Sequence, residues 1–193
     1  MNHARPGWAP DEERRKWQNP EVILSHVGLR AGHTFIDLGC GDGFFAIPAA
    51  SLVGDTGKVY CVDTDVEAVG RLREKATKVG LKNLNLTVGR AEDVIVCQEC
   101  ADIVFFGTVL HDFADPSEVL MNAKEMLKPN GRLIDLDWKK ESMKWGPPLQ
   151  IRFSEEHASH LIEAAGFKTE AAEPAGPFHY LIVARWSTDR TTG

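Results

Sequence analysis

The sequence predicts an α/β fold built on a mostly parallel sheet with helices on both faces. Three observations predict it. Strand and helix patterns alternate strictly along the chain. The strand segments are near-continuous apolar runs, such as ADIVFF at 101–106, as expected of strands buried on both faces. The first strand runs straight into a glycine-dense turn, DLGCGDG at 37–43, and a helical pattern resumes at once.

The elements follow in order. Asp11 to Trp17 reads as a short helix within an arm marked by Pro6, Pro10 and Pro20. Thr34 to Leu38 is a short apolar strand, and Phe44 to Leu52 fits a helix. Lys58 to Val62 is β-rich. From Asp65 to Val79, residues Val66, Val69, Leu72, Ala76 and Val79 recur at helical spacing, and Gly80 ends the run. Leu84 to Val88 is strand-like, and Glu92 to Cys97 fits one or two helical turns. Ala101 to Phe106 is the most apolar strand. Asp115 can cap a helix, Pro116 suits its first position, and Glu118 completes a capping box. That helix is expected to run to about Lys128. Pro129-Asn130-Gly131 then turns the chain into a strand over Arg132 to Leu136. Ser154 caps a helix with Glu155 and Glu156 in its first turn and Gly166 at its end. Strands over Phe167 to Ala171 and His179 to Trp186 close the pattern. The domain reading is an arm at 1–20, one domain at 21–186 and a flexible polar tail at 187–193.

Bulk properties restrict function. The 193-residue chain carries a formal net charge of −6, which gives no electrostatic footprint for nucleic acid or an anionic membrane surface. No apolar stretch approaches the ~18 residues of a membrane helix, and the N-terminal residues lack a secretory apolar core. A cytoplasmic location is expected, and with it four reduced thiols at Cys40, Cys61, Cys97 and Cys100. Cys97-Gln98-Glu99-Cys100 has no second CxxC to complete a zinc site, and it precedes the Ala101 strand at the edge of the sheet away from ligands.

The turn at 37–43 points to a ligand. In parallel α/β sheets ligands bind beyond the carboxyl ends of the strands. Glycines there let a cofactor approach the backbone. The dinucleotide fingerprint needs a third small residue at position 44, which is Phe44, so an NAD-dependent oxidoreductase is disfavoured. Asp63 stands 20 residues after Gly43, at the end of the second strand, where an acid can accept both ribose hydroxyls of an adenosine.

With DLGCGDG, VYCVDTD, VGRAED, ADIVFFGTVLHDF, LKPNGRLIDLDW and FSEEHASHLIEAAGF in order, the chain resembles the class I S-adenosylmethionine-dependent methyltransferases of small-molecule type. The resemblance implies a Rossmann-like seven-stranded sheet whose last strand is antiparallel. It implies S-adenosylmethionine as cofactor, S-adenosylhomocysteine as product, and a small-molecule acceptor. It places Asp37 by the methionine amine and leaves room for the cofactor at Gly39 and Gly41. Asp63 would bind the ribose, Thr64 would lie near the adenine, Ala91 and Glu92 would flank it, and Gly107 would lie beneath the sulfonium. Many relatives carry an acid where this chain has Arg90, which cannot accept a hydrogen bond.

His111, in the loop leaving the fourth strand, is the candidate general base, beside Asp112. No [ND]-P-P-[YFW] motif follows that strand. Asp135 and Asp137 alone do not make a magnesium site, and no metal is expected. Lys139 to Phe153, with Trp8 and Trp17, is a candidate roof for the substrate space. A non-catalytic adenosyl-binding module is the alternative reading. The acceptor atom and the oligomeric state are not legible in the sequence.

Overall fold

The structure, a computed structural model, describes residues 9–186. The expected flexible tail at 187–193 and Trp8 lie outside the described residues. Seven strands form one sheet in the order β3-β2-β1-β4-β5-β7-β6. They are β1 (Thr34–Leu38), β2 (Lys58–Asp63), β3 (Leu84–Val88), β4 (Ala101–Gly107), β5 (Leu127–Trp138), β6 (Phe167–Ala175) and β7 (His179–Trp186). β7 runs antiparallel to both β5 and β6, and the pairings among β1 to β5 are parallel. The helices are α1 (Asp11–Arg15), α2 (Pro20–His26), α3 (Ala46–Val53), α4 (Val66–Lys78), α5 (Pro116–Met126) and α6 (Glu155–Ala164).

The period of two along each strand splits the core between the two faces of the sheet. Ile36, Val104, Phe106 and Leu133 pack on one face with the buried sides of α5 and α6. Phe35, Phe105 and Ile134 pack on the other with α2, α3 and Leu72 of α4. Each fully buried large side chain of this kind contributes roughly 1.5–3 kcal/mol. Both faces are covered, so the carboxyl edge of the parallel strands is the natural place for a ligand.

Side-chain caps act where the sequence put them. Asp65 accepts from Glu67 and Ala68 N–H at the start of α4, Asp115 from Ser117 and Glu118 at α5, and Ser154 from His157 at α6, although the Asp115 N–H that the expected capping box would give to Glu118 donates to Glu92 Oε1 at 3.4 Å instead. Four expectations change. Helix α2 is additional, capped by Asn19 with Pro20 in its first turn. Glu92 to Cys97 is not helical: Asn122 of α5 donates to the carbonyls of Ala91 and Glu92 and holds the chain in a turn. α5 stops at Met126, and β5 begins at Leu127, where it pairs with Ala101. Cys97 and Cys100 are joined in a disulfide, which replaces the expected pair of thiols, while Cys40 and Cys61 are free and buried. The turn that brings Cys97 and Cys100 together is held by Glu99 and Cys100 N–H bonds to the carbonyls of Glu125 and Met126.

Candidate cofactor-binding and active site

A cavity of about 1040 Å³ opens at the carboxyl edge of β1, β2, β3 and β4. Its walls include Asp37, Gly39, Gly41, Asp63, Thr64, Ala91, Glu92 and Gly107, so the structure brings all eight expected cofactor residues to one site.

The glycine turn forms its floor. Gly39 N–H donates to the Val62 carbonyl at 2.8 Å, tying the turn to β2. A Cβ on Gly39 would stand 2.6 Å from Val109 Cγ2, and its φ is +83°. The loop leaving β4 therefore packs directly on this glycine. Gly41, with φ +53°, has no atom within 4 Å of where its Cβ would be, so the turn leaves open space on the cavity side.

Asp63 braces this turn. One carboxylate oxygen accepts from Gly41 N–H at 2.7 Å and the other from Asp65 N–H at 2.9 Å. Each oxygen keeps a second lone pair for a ligand hydroxyl. Across the cavity, Glu92 accepts from Ala114 N–H at 3.0 Å and joins the β3 side of the site to the β4 exit. Burial raises the Glu92 carboxyl, but hydrogen bonds to its own backbone N–H, Arg90, Asp115 and Ala114 outweigh this and hold it below its ordinary value. Arg90 lines the cavity beside them and pairs with Glu92 at 3.5 Å and Asp93 at 3.6 Å.

Asp37 is 2% exposed at the end of β1. Burial first, and the nearby Asp63 charge second, push its carboxyl up to about 8, while Arg14 pulls it down. Arg14 had no place in the sequence-based site. It is 8% exposed, its guanidinium lies 3.7 Å over the Phe44 ring, and its Nε donates to Gln18 Oε1. Ala9, Pro10 and Asp11 line the same wall. No periodic pattern flags Arg14, because its burial depends on α1 folding back over Phe44 and Phe45.

His111 is not brought into the cavity. It sits in a single 3₁₀ turn, Leu110–Asp112, with its side chain buried against β5. Nδ1 lies 2.8 Å from both oxygens of Asp137, and Nε2 lies 3.4 Å from Asp112 Oδ1. Asp112 itself lines the cavity, with Thr108, Val109 and Phe113. Thr108 holds a φ of +65°, a conformation rare outside glycine, at the mouth of β4. Asp135 is fully buried, and neither it nor Asp137 lines the cavity. Among the described residues no group of three His, Cys, Asp or Glu is placed to hold a metal. Trp17 stacks on His179 at 5.4 Å, away from the cavity, and the Lys139 to Phe153 segment contributes nothing to its walls.

Residues 29–171 match the family profile described as "Methyltransferase domain". The chain belongs to this methyltransferase family. A crystal structure of a SAM dependent methyltransferase from Aquifex aeolicus is 31% identical over 89% of this chain and 92% of that one, with a TM-score of 0.85. The ubiquinone/menaquinone biosynthesis C-methyltransferase UbiE of Escherichia coli O1:K1 / APEC is 28% identical over 86% of this chain and 64% of its own length. A Saccharolobus solfataricus protein named "Probable cobalt-precorrin-6B C(15)-methyltransferase (decarboxylating)" is 30% identical over 58% of this chain and 56% of its own. The methyltransferase domain thus spans little more than half to two thirds of these curated relatives. The cavity, with the glycine turn and Asp63, lies at the carboxyl edge of the parallel strands.

Proposed function

We propose that this methyltransferase domain transfers a methyl group from S-adenosylmethionine to a small-molecule acceptor and releases S-adenosylhomocysteine. One observation carries the reading. The glycine turn and the acid 20 residues beyond it meet in a single cavity, with Gly39 and Gly41 open to positive φ and the Asp63 carboxylate between them and α4. The C-methyltransferase relatives, UbiE and the precorrin enzyme, support an acceptor of low molecular mass.

The residues fit the cofactor. Asp63 would accept from the ribose hydroxyls, Thr64, Ala91 and Glu92 would bound the adenine, and Asp37 would meet the methionine ammonium. S-adenosylmethionine, when bound, supplies an electrophilic methyl on a sulfonium. The chain's own work is to orient two reactants and exclude water. Gly107 and Thr108 border the end of the cavity beyond β4, against Phe45 and Phe113. Apolar walls there suit a displacement that disperses charge.

His111 is better read as a positioning residue than as the base. Its imidazole is tied to Asp137 behind the wall, and Asp112 is the ionisable group of that turn that reaches the cavity. The test is incubation of the protein with methyl-labelled S-adenosylmethionine and fractionated small-molecule extracts. Label should pass into a low-mass fraction and not into protein or nucleic acid. Label confined to a macromolecular fraction would overturn the acceptor class.

A further inference from the structure

We propose that a cleft at the amino edge of the sheet, opposite the cofactor cavity, is a second ligand site. It takes a phosphate group, as the free ion or as a monoester on a small molecule, between Arg30, Arg132 and His33. The inference is independent of the cofactor reading.

A cavity of about 260 Å³ opens there. That is below the roughly 300–1,000 Å³ of sites for drug-sized ligands and suits a compact ion. The sheet gathers its walls. His33 stands just before β1, Asp102 near the start of β4, Lys128 and Arg132 on the first half of β5, and Arg185 near the end of antiparallel β7. Arg30 joins them through a turn in which His33 N–H donates to the Arg30 carbonyl at 3.2 Å. Four cations thus face one carboxylate, in a chain whose formal net charge is −6.

That carboxylate is already engaged. Asp102 accepts from Lys128 Nζ at 2.8 and 2.9 Å and from Thr34 N–H at 2.7 Å. Burial raises the Asp102 carboxyl, but Lys128 and the Thr34 N–H outweigh it and hold it below its ordinary value. Arg185 lies 2.6 Å from Glu170 of β6. Arg30 and Arg132 are left with no carboxylate partner among the described residues. The strand register sets Arg132 directly opposite Arg185, and like charges facing across an antiparallel pair destabilise a sheet. Arg132 is also held in place. Its Nη1 donates to the Val27 carbonyl at 3.1 Å, and a Cβ on Gly28 would stand 2.9 Å from that nitrogen. The rest of its planar fork suits the oxygens of a phosphate.

His33 supplies the second, independent sign. Its Nδ1 is buried and has no hydrogen-bond partner among the described residues. A buried polar atom left so costs free energy unless a ligand or water meets it. Burial first, with Arg30, Lys128 and Arg132 added, holds the ring below its ordinary value of 6.5 against the pull of Asp102. An oxyanion in the cleft answers both excesses. It neutralises the two guanidiniums and accepts a hydrogen bond from Nδ1–H.

Calorimetry of the full chain with inorganic phosphate, and separately with phenyl phosphate, at matched ionic strength tests the proposal. Saturable binding at one site per chain is expected. Binding of inorganic phosphate alone assigns the site to the free ion, and tighter binding of phenyl phosphate assigns it to phosphate carried on a small molecule. Arg30 is exposed, so Arg30→Gln should leave the melting temperature unchanged. It should weaken phosphate binding roughly 10- to 100-fold, the span of a charge-assisted hydrogen bond. Nuclear magnetic resonance should show the His33 ring titrating at higher pH once phosphate is bound. Absence of saturable binding by the wild type, which needs no variant to fold, overturns the proposal. So does undiminished binding in Arg30→Gln, or a His33 titration unmoved by saturating phosphate. Binding lost in Arg90→Gln but kept in Arg30→Gln would place the anion in the cofactor cavity and overturn it equally.

Discussion

His111 Nδ1 lies 2.8 Å from both carboxylate oxygens of Asp137, and each side chain is about 1% exposed. This buried pair joins the 3₁₀ turn after β4 to the end of β5, just behind the cavity wall. Burial lowers the His111 pKa, but Asp137 and then Asp112 outweigh it, and the imidazole is held above its ordinary value of 6.5. The pair's contribution to stability is therefore fully present below 6.5 and is lost as pH rises through the raised value. Asp137→Asn should cost roughly 3 kcal/mol and flatten that pH dependence, because it strands a buried partner. Urea denaturation across pH measures both. In turnover, no limb of the pH–rate profile should disappear in His111→Gln. If such a limb disappears, the imidazole exchanges protons with the acceptor after all.

Asp37 responds to pH in the same direction, but because burial makes its ionised form costly. Its carboxyl is raised from 3.8 to about 8. Between those values the native state holds a proton that the unfolded chain releases, so stability falls as pH rises through this window. Asp37→Asn should raise stability at pH 8 by on the order of 2 kcal/mol and have little effect near pH 4. The same change should weaken S-adenosylhomocysteine binding by about 10-fold or more. A variant that loses stability at pH 8 would show that the carboxylate is satisfied by the protein and is not reserved for a ligand.

Asp63 has two duties. Its oxygens accept from Gly41 and Asp65 N–H, so Asp63→Ala leaves two backbone donors without their partner. The expected costs are roughly 1–3 kcal/mol in stability and roughly 2–4 kcal/mol in cofactor affinity. Thermal melting and calorimetry should both register a loss. Affinity that falls while the melting temperature holds would show that the brace is dispensable.

Gly39 and Gly41 should separate cleanly. Gly39→Ala drives a methyl against Val109 at a φ of +83° and should destabilise the fold by about 1–3 kcal/mol. Val109→Ala in the same chain should restore part of this, since it removes the clash but not the backbone strain. Gly41→Ala meets nothing within 4 Å and should cost ligand affinity more than stability. Denaturation midpoints beside binding isotherms decide it, and equal stability losses at the two positions would refute the distinction.

The fold and much of the site were legible because they rest on local signals. The glycine turn, the acid 20 residues on, and the caps at Asp65, Asp115 and Ser154 are set by residue type and spacing. Helix α2 also has a local signal, Asn19 followed by Pro20. Three features depend on the assembled chain. Glu92 to Cys97 is kept from helix by Asn122, which lies on α5, some 30 residues away. His111 sits in the expected loop, but the 3₁₀ turn aims its ring at Asp137 and presents Asp112 to the cavity. Arg14 becomes a cavity residue only when α1 folds over Phe44. Sequence spacing locates a loop; the direction of a side chain within it is decided by packing.

The most direct test of the account is calorimetric titration of the purified protein with S-adenosylhomocysteine and, separately, with NAD. The account predicts saturable binding of S-adenosylhomocysteine at one site per chain, abolished or much weakened in Asp63→Ala, and no binding of NAD. Binding of NAD without binding of S-adenosylhomocysteine would contradict it.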